Sequence, residues 1–175
     1  VLKNSGITSN RKMFFKFIST VIFFTTFITG SPVDQSAVTP TSAGNCPSGT
    51  FAAYGTTQCF QIFNDSKYFM DAEIHCTGLG GHLASIHNGF DNMLIAGMAR
   101  NMLSSNSSLF TGGNNLRSQN NWEWIDQQPM DYTDFDFPLD DDPYKNCIQL
   151  FTIHGKWQTA DCYTPAPFIC EVPRV

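Results

Sequence analysis

Along residues 54–63, YGTTQCFQIF, apolar and polar positions alternate around Cys59, Phe60 and Ile62, which predicts a strand entered from a glycine turn. The following stretch, NDSKYFMDAEIHC, changes period. Phe69, Ala72, Ile74 and Cys76 form an approximate helical stripe, Asp65 or Ser66 stands where an N-cap belongs, and GLGG ends the run, so a helix is expected over about 67–78. After the short apolar run HLASI, the segment NGFDNMLIAGMARNML places Leu94, Met98 and Met102 at i, i+4 and i+8. This marks one face of a second helix, with its methionines read as core filler rather than as a binding stripe. Beyond Ser104 the pattern shortens into LFTGG, WEWID, CIQLFTI, KWQTA and FICEV, each a strand-sized apolar piece bounded by polar turns. No internal repeat appears. Strands at both ends with two helices between them predict an α+β domain.

The first thirty residues follow another logic. RKMFFKFISTVIFFTTFITG has a basic flank, an apolar stretch from Phe17 to Ile28 and the small residue Gly30 before Ser31, the outline of a secretory signal peptide. Twelve residues are too few for the ~20 that cross a bilayer as a helix, so no permanent membrane anchor is expected. Met13 lies just ahead of the apolar run, which places 1–12 upstream of the true start, the signal at 13–30, a Ser/Thr/Pro linker at 31–44 and a folded domain at 45–173. A chain of 175 residues has room for one such core. Charge sharpens the picture. The four basic residues before position 31 face no acid there, leaving six basic and fifteen acidic residues beyond it, a balance of −9. That excludes nucleic acid as the domain's partner, since phosphate recognition needs clustered Lys and Arg.

Six cysteines, at 46, 59, 76, 147, 162 and 170, all follow the signal. An even count in a chain bound for an oxidising compartment reads as disulfides, in any of fifteen pairings, and no Cys-x-x-Cys suggests zinc or redox chemistry. His82 and His87 stand five apart and read as hydrogen-bonded structural residues rather than as a metal pair. Trp122, Trp124 and Trp157 read as core. Asn64 and Asn106 open acceptor sequons for N-glycosylation at expected loops or helix ends. Nothing offers a serine elbow, a free catalytic thiol or a paired-carboxylate motif, so no catalytic residue is assigned and no enzyme is expected.

The pieces FMDAEIHC, GGHLASIHN, LFTGGNN, WEWIDQQPMDYTDF, NCIQLF and GKWQTADCYTPAPFIC follow one another in the order and spacing of a C-type lectin-like domain. From Cys46 to about Pro173 the chain resembles that family, in the manner of the short secreted lectin-like proteins of nematodes. The resemblance implies two helices flanking small antiparallel sheets, a long loop region, and three disulfides: Cys46–Cys59, Cys76–Cys170 and Cys147–Cys162. It also implies a ligand site. In the family's calcium-bridged sugar site a Glu-Pro-Asn loop, a Glu two residues before the third-last cysteine and an Asn-Asp pair after a strand Trp supply the oxygens that calcium requires. Here Pro138 holds the proline's place, nine residues before Cys147. In that register Phe137 and Leu139 replace Glu and Asn, Lys145 replaces the second Glu, and Gln158-Thr159 replace Asn-Asp. Calcium is therefore not expected at the family's sugar site, and no cofactor is assigned.

The loop DYTDFDFPLDDDPYKNC nevertheless carries six aspartates. Three readings stand: a solvated acidic loop and, as weaker alternatives, an unorthodox calcium site built from Asp136, Asp140, Asp141 and Asp142 and an electrostatic contact with a basic partner. The expected activity is that of a secreted, extracellular, non-enzymatic binding module for a glycan or protein ligand, recognised through Phe137, Pro138, Leu139, Asp140, Asp141, Asp142, Lys145, Gln158 and Thr159. The alternative is a calcium-dependent carbohydrate-binding lectin, in the setting of innate defence.

Overall fold

The computed structural model describes residues 44–54, 57–103, 106–119, 121–138 and 142–175. The expected leader and almost all of the linker lie outside them. Ten elements follow in the order β1 (Phe51–Ala52), β2 (Gln58–Lys67), α1 (Phe69–Gly78), β3 (His82–Leu83), α2 (Gly89–Met102), β4 (Ser108–Asn114), β5 (Glu123–Trp124), β6 (Cys147–Phe151), β7 (Trp157–Ala160) and β8 (Ala166–Pro173). The α+β expectation holds. The strands join into one sheet rather than several small ones, in the order β1-β2-β8-β4-β6-β7, with β3 on β8 and β5 on β4. It is mixed, because β4 and β8 meet in parallel at Phe110 and Phe168 while the other pairs are antiparallel.

Period two along β8 explains how one sheet holds two cores. Ile169 turns to the cluster under α2, with Ile95, Ala96, Ala99, Trp124, Ile148, Leu150 and Trp157. Phe168 and Cys170 turn to the cluster under α1, with Phe69, Ala72, Leu83 and Phe110. Trp124 and Trp157 are buried, and Trp122 packs half-buried against them. Bridges Cys46–Cys59, Cys76–Cys170 and Cys147–Cys162 close in the pairing that the resemblance implies. The second ties α1 to β8, and the third ties β6 to the residues after β7.

Local expectations in β2, α1 and α2 are corrected. Strand β2 does not stop at Phe63; it bulges and pairs again at Lys67 with Ala166. Asp65 and Ser66 are thus in strand, Asp65 pairs with Lys67 at 3.0 Å, and α1 starts at an N-cap of Tyr68 that makes no side-chain capping bond. Asn64 lies in this strand too, exposed, not at a loop. In α1, Ile74 points to water at 64% exposure, and Glu73 is buried in its stead. In α2, the buried face is Asp91, Asn92, Ile95, Ala96 and Ala99. Leu94 and Met102 are exposed and Met98 only half-buried, so the methionine stripe faces outward, one position away from the core. Among the described residues no helix is long and apolar enough to cross a membrane.

Candidate functional site

Between β5 and β6 the chain leaves the sheet for twenty-two residues, 125–146, and its first part is fixed by main-chain and side-chain bonds to β7. Phe135 pairs in parallel with Trp157. Trp157 N–H donates to the Asp134 carbonyl at 2.9 Å, and Asp136 N–H donates to the Trp157 carbonyl at 2.9 Å. The Phe135 ring, nearly buried, lies 5.5 Å from Trp157 and 5.7 Å from Trp122. Phe135 thus anchors the loop to the core through two aromatic contacts.

A buried asparagine completes the anchor. Asn92 Oδ1 accepts from Trp157 Nε1 at 2.7 Å, while its Nδ2 donates to the Gly155 carbonyl at 2.8 Å and to Asp134 Oδ2 at 3.2 Å. The Lys156 ammonium closes on the other Asp134 oxygen. Every polar atom of Asn92 has a partner, so its burial is stabilising rather than costly. The same aspartate, together with burial, raises the Tyr132 pKa, with burial the larger cause. Sequence reading missed Asn92, which follows Asp91 in NGFDNMLIAGM with nothing in the pattern to mark it as a buried hydrogen-bonding residue.

Beyond this anchor the loop changes character. Phe137 is 75% exposed and Tyr144 78%, both without an apolar cover among the described residues. Asp136 is exposed and meets Gln158 Nε2 at 3.5 Å, so these two predicted site residues do come together. Asp142 is used in a turn: its Oδ1 accepts from Tyr144 N–H at 3.0 Å and its carbonyl from Lys145 N–H at 3.0 Å. Asn146 Nδ2 caps the same turn on the Pro143 carbonyl at 2.8 Å. Thr159 sits on β7 opposite Ile148, half-buried, and Lys145 is half-buried as well. Leu139, Asp140 and Asp141 lie outside the described residues.

Chemically, Phe137, Lys145, Gln158 and Thr159 offer one apolar ring, one ammonium and two neutral polar groups. Calcium takes six to eight oxygens, mostly from carboxylates, and an ammonium at a ligand position repels the ion. This donor set does not suit it. Among the described residues no three His, Cys, Asp or Glu side chains gather in a way that could hold a metal.

A second polar cluster lies where α1, β3 and β8 meet. Glu73 Oε1 is 2.6 Å from His82 Nδ1 and its Oε2 accepts from Leu83 N–H at 2.8 Å. His87 Nδ1 is 2.8 Å from Asp131 Oδ1, a contact that holds the Asp131 carboxyl below its usual range. The two histidines therefore serve different carboxylates. Between them Glu171 accepts from Ser85 N–H at 3.2 Å, and burial, followed by the charge of Asp126, pushes its pKa up to about 6. A cleft of about 250 Å³ opens beside Glu171, His82, Asp126 and Gln128.

The arrangement matches known proteins. The family sequence pattern described as the lectin C-type domain fits residues 65–172. A C-type lectin mannose-binding isoform of Oxyuranus scutellatus is 33% identical over 119 residues, 65% of this chain and 75% of that protein. A snaclec of Deinagkistrodon acutus is 32% identical over 132 residues, 74% of this chain and 81% of its own. Among solved structures, a calcium-independent type II antifreeze protein superposes with a TM-score of 0.66 at 24% identity, covering 75% of this chain and 97% of its own.

Proposed function

The chain belongs to the C-type lectin family, and from that premise we propose that it is a non-enzymatic binding module that recognises an extracellular glycan or protein ligand through the 131–147 loop and β7 without a calcium bridge. The observation that carries this reading is the donor set. In the register that the resemblance implies, the positions of the calcium ligands hold an exposed Phe137, the cation Lys145 and the neutral Gln158 and Thr159. Exposed rings at Phe137 and Tyr144 supply instead a surface that stacks on a sugar face or packs into a protein pocket. The leader at 13–30 would be removed on secretion and Asn64 and Asn106, both exposed, would carry glycans. Mass spectrometry of the secreted chain reads both points, as an N-terminus near Ser31 and a mass lost to an N-glycosidase.

Thermal unfolding against added calcium tests the central claim. Binding to the folded state alone must raise apparent stability by RT ln(1 + [L]/Kd), about 1.4 kcal/mol at ten times Kd. A flat response up to several millimolar is expected. A rise reversed by chelator, with chelator elution from mannose or galactose resin, would establish the alternative, a calcium-dependent lectin. That reading draws on the mannose-binding relative and on Asp136, Asp140, Asp141 and Asp142. Turnover of chromogenic esters or glycosides, abolished by one substitution, would overturn the non-enzymatic reading.

A further inference from the structure

Helix α2 buries one face against the sheet, and among the described residues no other element packs across its outer face. Along that outer face run Phe90, Met93, Leu94, Met98 and Met102, with exposures from 37% at Leu94 to 72% at Phe90 and Met98 half-buried. Tyr54 extends it, its ring 5.1 Å from Phe90. Only Asp91 and Arg100 are charged in GFDNMLIAGMARNM, and neither serves this face. Asp91 is buried and accepts from Tyr54 N–H, while the Arg100 guanidinium is folded onto the Thr152 and Ile153 carbonyls at 2.8 Å.

In the middle of the stripe stands Gly97. Glycine is a poor helix former, and here its own fold gives no reason for it: the backbone is not left-handed and a Cβ would meet nothing within 4 Å. What a missing side chain on an outer helix face does allow is the close approach of another helix.

We propose that this face is the interface of a two-fold homodimer in which the two α2 helices cross at Gly97. Three points select a second copy as the occupant. A face without an exposed carboxylate is one on which two acidic domains can meet without setting negative charges opposite each other. The 31–44 linker is made of small and polar residues and has little to fill an apolar stripe. An anionic lipid surface calls for flanking cations, and the one cation on the helix is engaged elsewhere. The size also fits. Five side chains of this kind, about half exposed, offer on the order of 500 Å² per copy. Two copies then bury roughly 1,000 Å² before any rim is counted, against about 1,200 Å² for the smaller specific interfaces.

Sedimentation equilibrium of the purified protein from 1 to 100 µM tests this, together with oxidative cross-linking of Gly97→Cys and of Ile74→Cys on α1. A two-chain mass is expected at the upper concentrations. Leu94→Glu should weaken it at least tenfold with the circular dichroism unchanged, and Gly97→Cys should cross-link much faster than Ile74→Cys. A single-chain mass at 100 µM would overturn the proposal, as would a dimer indifferent to Leu94→Glu or equal cross-linking at the two sites. Flotation of the monomer with phosphatidylcholine vesicles, lost in Leu94→Glu, would assign the face to lipid and equally overturn it.

Discussion

Glu171 carries the clearest pH dependence in the domain. Its carboxyl accepts one main-chain bond from Ser85 but pays for burial and for the charge of Asp126, so its folded pKa lies near 6 rather than 4.5. For a carboxyl raised on folding, the folded state binds the proton more tightly. Stability from this group is then full below about pH 4.5 and falls as pH rises to about 6, by about 2 kcal/mol for a shift of this size. Glu171→Gln keeps the acceptor for Ser85 and removes the ionisation. Chemical denaturation is expected to find it more stable than the parent by about 1–2 kcal/mol at pH 7.5 and equal to it at pH 4. An equal effect at both values would locate the gain in packing instead. Neither Glu171 nor Asn92 announces itself in the sequence as a buried group. A lone Glu in a strand and a lone Asn in a helix read as solvated, and only the meeting of β8 with β3, or of α2 with β7, shows what they bond. The register that assigns Phe137 and Lys145 their loop positions is counted from Cys147 alone and needs no tertiary information.

At the scale of elements, the existence and order of both helices were readable from period, but not their inward faces. In α2 the Leu94–Met98–Met102 stripe is the more apolar one, yet the sheet takes Ile95, Ala96 and Ala99. The bonds from Asn92 to Trp157 and Gly155 fix which face turns inward, and Ile95, Ala96 and Ala99 lie on that face. The same contest occurs in α1, where Ala72 and Glu73 are buried and Ile74 is not. Burial in the fold, rather than hydrophobicity read along the chain, therefore governs which substitutions hurt. Ala72→Leu forces extra volume under the sheet and should cost about 1–3 kcal/mol. Ile74→Ala, although it removes more apolar surface, should change stability by no more than about 0.5 kcal/mol. Urea midpoints of the two variants check this, and a larger loss for Ile74→Ala would mean that α1 is rotated from the position described.

For the whole molecule, the question is what keeps a loop of twenty-two residues, 125–146, in place on a sheet of short strands. Two kinds of restraint act in different ways. The Asn92, Asp134, Lys156 and Trp157 bonds fix the loop's first part in the folded state, while Cys147–Cys162 fastens its exit to the residues after β7. Cys76–Cys170 acts mainly on the unfolded chain. It closes 94 residues, for which the chain-entropy relation gives about 4.5 kcal/mol, against about 3 kcal/mol for the 15 residues of Cys147–Cys162. That difference predicts a division of roles. Replacing Cys76 and Cys170 together by Ala should lower global stability the more, by several kcal/mol. Replacing Cys147 and Cys162 should cost less globally but free the loop from β7, where Asp136 meets Gln158. Hydrogen exchange distinguishes the two. The first variant should lose protection across β2, β8 and α1 alike, and the second should lose it first at the Asp136 and Trp157 amides, which now bond across from loop to strand. Uniform loss in both variants would show that loop and sheet unfold as one unit, with no separate opening of the loop proposed to bind ligand.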